Sequence, residues 1–136
     1  MDRATRRRLV SQARVGRLAT VTASGKAHVV PVCFALVGEV VYSAVDHKPK
    51  RSMNLRRFAN IVATGSTSLL VDHFEEDWSA LWWVRIDGTG RLVEDGAEAA
   101  LAVEALTTKY QQYQQVPPDG AIIAIDVEHW TDWSAS

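Results

Sequence analysis

The sequence predicts a mainly β domain with helices, built on one curled antiparallel sheet. Short segments rich in β-branched residues follow one another through Ser24-Gly25 and Gly38. Strands joined by such tight turns pair antiparallel, because a parallel pair needs a long crossover. Two further stretches carry helical spacing, and they flank strands rather than alternate with them, which places helices at the ends of a sheet. The chain has 136 residues, 47% of them apolar and 23% charged. That balance belongs to a folded chain with one core, so a single domain over 1–136 is expected.

The elements follow in order. Asp2 caps a helix running to about Arg14, and Arg3, Arg6, Arg7 and Arg8 form its wet face. Arg17 to Thr22 alternates and reads as a strand, Ala27 to Leu36 as its hairpin partner, and Glu39 to Val45 as the third strand of a meander. A polar loop, Asp46-His47-Lys48-Pro49-Lys50-Arg51, precedes a helix from Ser52 whose Leu55, Phe58, Ala59 and Val62 share one face, and Gly65 ends it. Ser68 to Asp72 is a short strand. Leu81 to about Leu92 is a long one, with Gly88 and Gly90 marking a bulge. Ala99, Val103, Leu106, Tyr110 and Tyr113 form one apolar helical stripe, stopped by Pro117-Pro118. Ala121 to Val127 closes the sheet, and a Trp-rich tail follows. The total is six strands and three helices.

Several functions lose support at once. No stretch reaches the ~20 apolar residues of a membrane span, and no apolar run follows the N-terminal arginines as a secretory signal would require. A net charge of -1 gives no footprint for nucleic acid. The single cysteine, Cys33, permits no intrachain disulfide, which suits a reducing cytoplasm, and its run Val32-Cys33-Phe34 suggests a buried small hydrophobe. Phosphate loops of the GxGxxG and GxxxxGK[ST] kinds and the GxSxG elbow are absent. His28, His47, His73 and His129 lack metal-ligand spacing, and the acidic run His73 to Trp78 reads as solvated surface, so no metal is expected. Without an acid–base constellation, reactivity would have to come from a cofactor.

Three signals remain. Lys48, Lys50 and Arg51 stand just before a helix whose N-terminus is itself positive. A phosphate would satisfy both the cations and the free N–H groups, although a solvated basic loop accounts for the same residues. Pro31 lies inside a strand, which confines that strand to an edge or a bulge and frees main-chain groups of Val29, Val30 and Val32. Those groups suit a flavin-type ring, and an ordinary edge strand fits as well. The five tryptophans are Trp78, Trp82, Trp83, Trp130 and Trp133. Trp82 and Trp83 are adjacent on a strand, so one faces the core and the other meets solvent, a ligand or a partner.

Together the segments Arg17-Leu18-Ala19-Thr20-Val21, Gly25 to Val32, Tyr42-Ser43 and Lys48-Pro49-Lys50-Arg51 resemble the pyridoxamine 5′-phosphate oxidase-like split-barrel superfamily. Leu69 to Phe74, Trp82-Trp83-Val84-Arg85 and Trp130-Thr131-Asp132-Trp133-Ser134 are similar to an actinobacterial branch of enzymes that use the deazaflavin coenzyme F420. The resemblance implies a six-stranded antiparallel split β-barrel, a homodimer, and cofactor sites at the subunit interface. It implies that Lys50, then Lys48 and Arg51, hold the cofactor phosphate, with the Ser43 hydroxyl beside them. It further implies that the backbone of Val29, Val30, Pro31 and Val32 lies along the ring. Trp78, Trp83 and either Trp130 or Trp133 would close the pocket or arrive from the partner. The activity implied is hydride transfer from reduced F420 to an unsaturated or quinone-like small molecule. FMN is the alternative cofactor, and a non-catalytic flavin- or F420-binding protein the alternative role. The chain is shorter than true pyridoxamine 5′-phosphate oxidases, so that oxidation is not expected.

Overall fold

A computed structural model describes residues 1–44 and 51–136, the side chains of 51–55 excepted. Helix α1 (Arg3–Gln12) starts where the Asp2 carboxylate accepts the Thr5 N–H at 2.7 Å, and it buries Val10. Strands β1 (Gly16–Val21) and β2 (Ala27–Val32) form the expected hairpin. Gly25 takes φ +88 in its turn, a conformation glycine adopts without strain. The chain then breaks at Cys33–Phe34 and resumes as β3 (Ala35–Val37), paired with β4 (Val40–Ala44). Helix α2 (Arg51–Thr64), β5 (Ser66–His73), a single 3-10 turn (Trp78–Ala80) and β6 (Trp82–Val93) follow. After them come α3 (Gly96–Lys109), the short α4 (Gln111–Gln115) and β7 (Ile122–Ser134).

The seven strands among the described residues form one sheet in the order β2-β1-β5-β6-β7-β4-β3, antiparallel throughout. Laid flat, its two edges would stand about 29 Å apart, from six spacings of about 4.8 Å. Yet β2 and β3 occupy those opposite edges with only Cys33 and Phe34 between them. Three steps of extended chain reach about 10 Å. The sheet must therefore curl until its edges nearly meet, leaving a slot between β2 and β3. This is a split barrel.

The curl encloses one core. Leu18, Phe34, Val41, Leu69, Val84, Ile86, Ile123 and Ile125 fill the inside, joined by Val10 of α1 and Ile61 of α2. A second cluster lies on the other face of β4 and β7, where Ala102 and Leu106 of α3 pack on Tyr42, Ala44, Ile122 and Ala124. Arg91 pins α3 to the sheet: its guanidinium reaches both oxygens of Glu98, at 2.6 and 2.7 Å, and the Asp126 carboxylate at 2.8 Å. Tyr42 donates to the same Glu98 at 2.8 Å.

Four expectations change. Among the described residues the count is seven strands, because the run from Ala27 to Leu36 is two strands on opposite edges. Glu39 to Val45 is no third strand of a meander: β4 lies between β3 and β7. The Trp-rich tail belongs to β7, with Trp130 opposite Ile86 and Trp133 opposite Trp83. The stripe through Tyr113 is not one helix, since Tyr110 is extended (φ -114, ψ 117) and separates α3 from α4. The bulge is where the glycines put it, between Asp87 and Gly88. A Cβ on Gly88 would stand 2.3 Å from the Asp126 carbonyl oxygen, so glycine lets β7 approach there.

Candidate functional site

The open side of the barrel is the edge of β2. In the hairpin Thr22 N–H donates to the Lys26 carbonyl at 2.9 Å. Antiparallel ladders alternate, so His28, Val30 and Val32 bond to β1, and Ala27, Val29 and Pro31 turn their main-chain groups to the open edge. Pro31 fits this phase, because a proline has no N–H to give a neighbour. The outward groups are therefore the N–H and C=O of Ala27 and of Val29 and the C=O of Pro31. This corrects the reading that freed Val30 and Val32. Val29 is 61% exposed.

Beyond this edge the chain crosses the slot at Cys33–Phe34, and side chains distant in sequence satisfy its backbone. Ser43 Oγ donates to the Cys33 carbonyl at 2.8 Å. Phe34 N–H donates to the Tyr110 hydroxyl oxygen at 3.1 Å, and Lys109 Nζ donates to the Phe34 carbonyl at 2.9 Å. The Tyr110 hydroxyl lies 3.0 Å from the Arg14 carbonyl, and Arg14 Nη1 donates to the Lys109 carbonyl at 2.6 Å. The break between α3 and α4 aims Tyr110 and Lys109 at the crossing. Burial lowers the Lys109 ammonium to about 8, and the nearby Arg14 charge adds to the effect. Burial also raises the Tyr110 phenol. Sequence reasoning missed these three residues, since Tyr110 sat in a core stripe, Lys109 lay inside the same expected helix and Arg14 ended another.

The structure gathers the expected site residues unevenly. Lys48 and Lys50 lie outside the described residues, as does the Arg51 side chain, although α2 begins at Arg51. Ser43 is 2% exposed and holds the crossing. Cys33 is exposed rather than buried, because Phe34 takes the core position beside it. Trp82 packs on the barrel core and Trp83 faces the opposite side, as adjacency required. Trp83 and Trp133 are direct cross-strand neighbours on the outer face, with Leu70 nearby, and none of the three belongs to either core cluster. Trp130 turns inward: Arg6 and Arg7 of α1 stack on its ring at 5.4 and 5.5 Å, and its indole N–H donates to Glu39 at 3.1 Å. Arg6 and Arg7 are thus docking residues of α1, not only a wet face. Trp78 is 69% exposed in the acidic loop.

Comparison with known proteins places this geometry. Solved structures share the fold at low identity. A conserved hypothetical protein of Mycobacterium tuberculosis is 19% identical, with TM-score 0.75 over 99% of this chain and 86% of its own. A FAD-binding protein of Mesorhizobium loti is 20% identical, with TM-score 0.75 over 100% and 96%. HutZ, the heme storage protein of Vibrio cholerae, is 16% identical, with TM-score 0.72 over 96% and 90%. No curated protein matches the sequence. The family model described as pyridoxamine 5′-phosphate oxidase matches residues 3–134, and the chain, with its split barrel and proline-bearing open edge, belongs to that family.

Proposed function

We propose that this chain is an oxidoreductase that holds reduced F420 against the β2 edge and delivers its hydride to an unsaturated or quinone-like small molecule. The observation that carries this reading is the edge itself. Val29 turns an adjacent N–H and C=O outward, and the pyrimidine edge of a flavin or deazaflavin presents a carbonyl beside an N–H. The two sets match donor to acceptor. The group, when bound, supplies the hydride, and the protein supplies position.

Each residue then has a task. Val29 would hold the ring edge through its outward N–H and C=O. Lys50, with Lys48 and Arg51, neutralises the phosphate ahead of α2. Ser43, Tyr110 and Lys109 hold the Cys33–Phe34 crossing, so the edge keeps its position when a ligand arrives. The outer face with Leu70, Trp83 and Trp133 receives a second copy of the chain, whose barrel closes the pocket; Trp78 stands at the rim. FMN remains the alternative cofactor, favoured by the family match and by the FAD-binding relative. A binding or storage role is favoured by the heme storage relative. The absorption spectrum of protein made in a host with both cofactors separates F420 from FMN, and turnover with a panel of acceptors separates catalysis from storage.

Val29→Pro tests the edge directly. It deletes one outward N–H and leaves every β1–β2 bond in place. One neutral hydrogen bond is worth about 1 kcal/mol, so cofactor binding should weaken roughly fivefold, with the melting temperature nearly unchanged. Lys50→Ala should weaken it about ten- to a hundredfold, as loss of a charge-assisted contact does. If Val29→Pro binds F420 and FMN as tightly as wild type, the ring does not lie on this edge.

A further inference from the structure

Behind the crossing, between the end of α1 and α4, lies an open cleft of about 680 Å³ lined by Arg14, Tyr110, Gln111, Gln112 and Gln115. Its wall contains a guanidinium, a phenol and three carboxamides, and no carboxylate. The Lys109 ammonium stands behind Tyr110, 5.3 Å from its ring centroid and 3.9 Å from that of Phe34, and the Arg14 guanidinium lies 5.6 Å from the Tyr110 centroid. Among the described residues neither cation has an ion pair. Arg14 bonds to the Lys109 carbonyl and Lys109 to the Phe34 carbonyl. Both contacts are to neutral acceptors. Two like charges are therefore held around one aromatic ring, with carbonyls and ring faces but no counter-charge beside them. Burial first, and then the nearby Arg14 charge, lower the Lys109 ammonium.

We propose that this cleft binds a small anion of the carboxylate or phosphate class, gripped by Arg14 and the α4 carboxamides with Lys109 supplying charge from behind. A planar guanidinium takes either group through two parallel N–H bonds, and carboxamide N–H groups satisfy the remaining lone pairs. None of its lining residues belongs to the Val29 edge, so the proposal does not rest on the cofactor reading.

The test is a titration of cofactor-free protein with succinate and, separately, inorganic phosphate, read as backbone and side-chain amide NMR shifts. Wild type should give saturable shifts centred on Gln111, Gln112 and Gln115, and the probe that saturates at lower concentration identifies the class. Arg14→Gln should weaken binding about tenfold, the loss of one charge-assisted contact. Gln115→Glu removes no cation and sets a repelling carboxylate in the wall; it should weaken binding similarly while keeping the wild-type melting temperature, which guards against misfolding in Arg14→Gln. Lys50→Ala should leave these shifts intact. Absence of saturable shifts at α4, or shifts unaltered in both Arg14→Gln and Gln115→Glu, would overturn the proposal. Cofactor binding lost in Lys50→Ala with α4 shifts retained would separate the two sites.

Discussion

Replacing Tyr110 by phenylalanine removes one oxygen and little else. The ring keeps its edge-on contact with Tyr113, 5.7 Å between centroids, and its place under the Arg14 guanidinium. Three polar groups lose a partner, and they are not equal. The Arg14 carbonyl is at the surface and turns to water at almost no cost. The Phe34 carbonyl keeps Lys109 Nζ at 2.9 Å. Only the Phe34 N–H is stranded, on a residue 0% exposed. An unsatisfied buried donor costs roughly 1–3 kcal/mol, and the open slot lets water recover part of that, so about 1–2 kcal/mol should remain. For a chain of this length the loss corresponds to a fall of about 3–8 °C in melting temperature. Urea unfolding reads the stability, and amide hydrogen exchange reads the place: Phe34 should exchange faster while Leu69 and Ile86 follow only the global change. Wild-type protection at Phe34 in Tyr110→Phe would refute the claim that this hydroxyl secures the crossing.

Gly88→Ala should destabilise by about 1–3 kcal/mol, because the new Cβ meets the Asp126 carbonyl, which cannot swing aside as a side chain could; equal urea midpoints would contradict the bulge packing. The Arg91 hydrogen bonds, with that of Tyr42, lower Glu98 from 4.5 to about 2. A depressed carboxyl contributes stability above its unfolded value, so this contribution should be complete above about pH 4.5 and vanish as pH falls towards 2. Glu98→Gln should flatten that part of the acid limb, and an unchanged limb would show that the Arg91 clamp is not what holds Glu98 ionised. Trp83→Glu tests the partner face: wild type should scatter light as twice the 15.0 kDa chain and the variant as one chain. A wild-type protein of single-chain mass would remove the second copy from the proposal.

The sequence reveals local geometry well and long-range pairing poorly. The Ser24-Gly25 hairpin, the helix ended by Gly65, the Gly88 bulge and the edge position of Pro31 each depend on a few adjacent residues, and each is where periodicity and turn chemistry put it. The crossing at Cys33–Phe34 was illegible because its partners, Ser43 and Tyr110, are 10 and 76 residues away. A continuous apolar run hides a change of sheet edge. Tyr110 misled for the opposite reason: it keeps the helical spacing of its neighbours, yet its hydroxyl is better satisfied by an extended backbone that reaches Phe34. The Trp-rich ending read as a tail because its strand partners lie in Trp82–Ile86. Of the candidate site, the cations Lys48, Lys50 and Arg51 stay an expectation, because Lys48, Lys50 and the Arg51 side chain lie outside the described residues, while the donor–acceptor phase of the edge needed the register.

That phase bears on what the edge can bind. An exposed edge strand invites a further strand from another chain. Here an incoming antiparallel strand would bond to Ala27, Val29 and Pro31, the residues facing outward, and at Pro31 it would find a carbonyl without the N–H that should stand beside it. The ladder would fail one residue pair beyond Val29. The slot also curves away, since Cys33 and Phe34 already turn towards β3. A strand needs several outward residues in sequence, whereas a flat ring needs only one adjacent donor and acceptor with room beside them. The same proline that spoils the edge for a strand therefore leaves Val29 open to a small planar molecule, and it explains why a barrel left unclosed at β2 need not assemble through that edge.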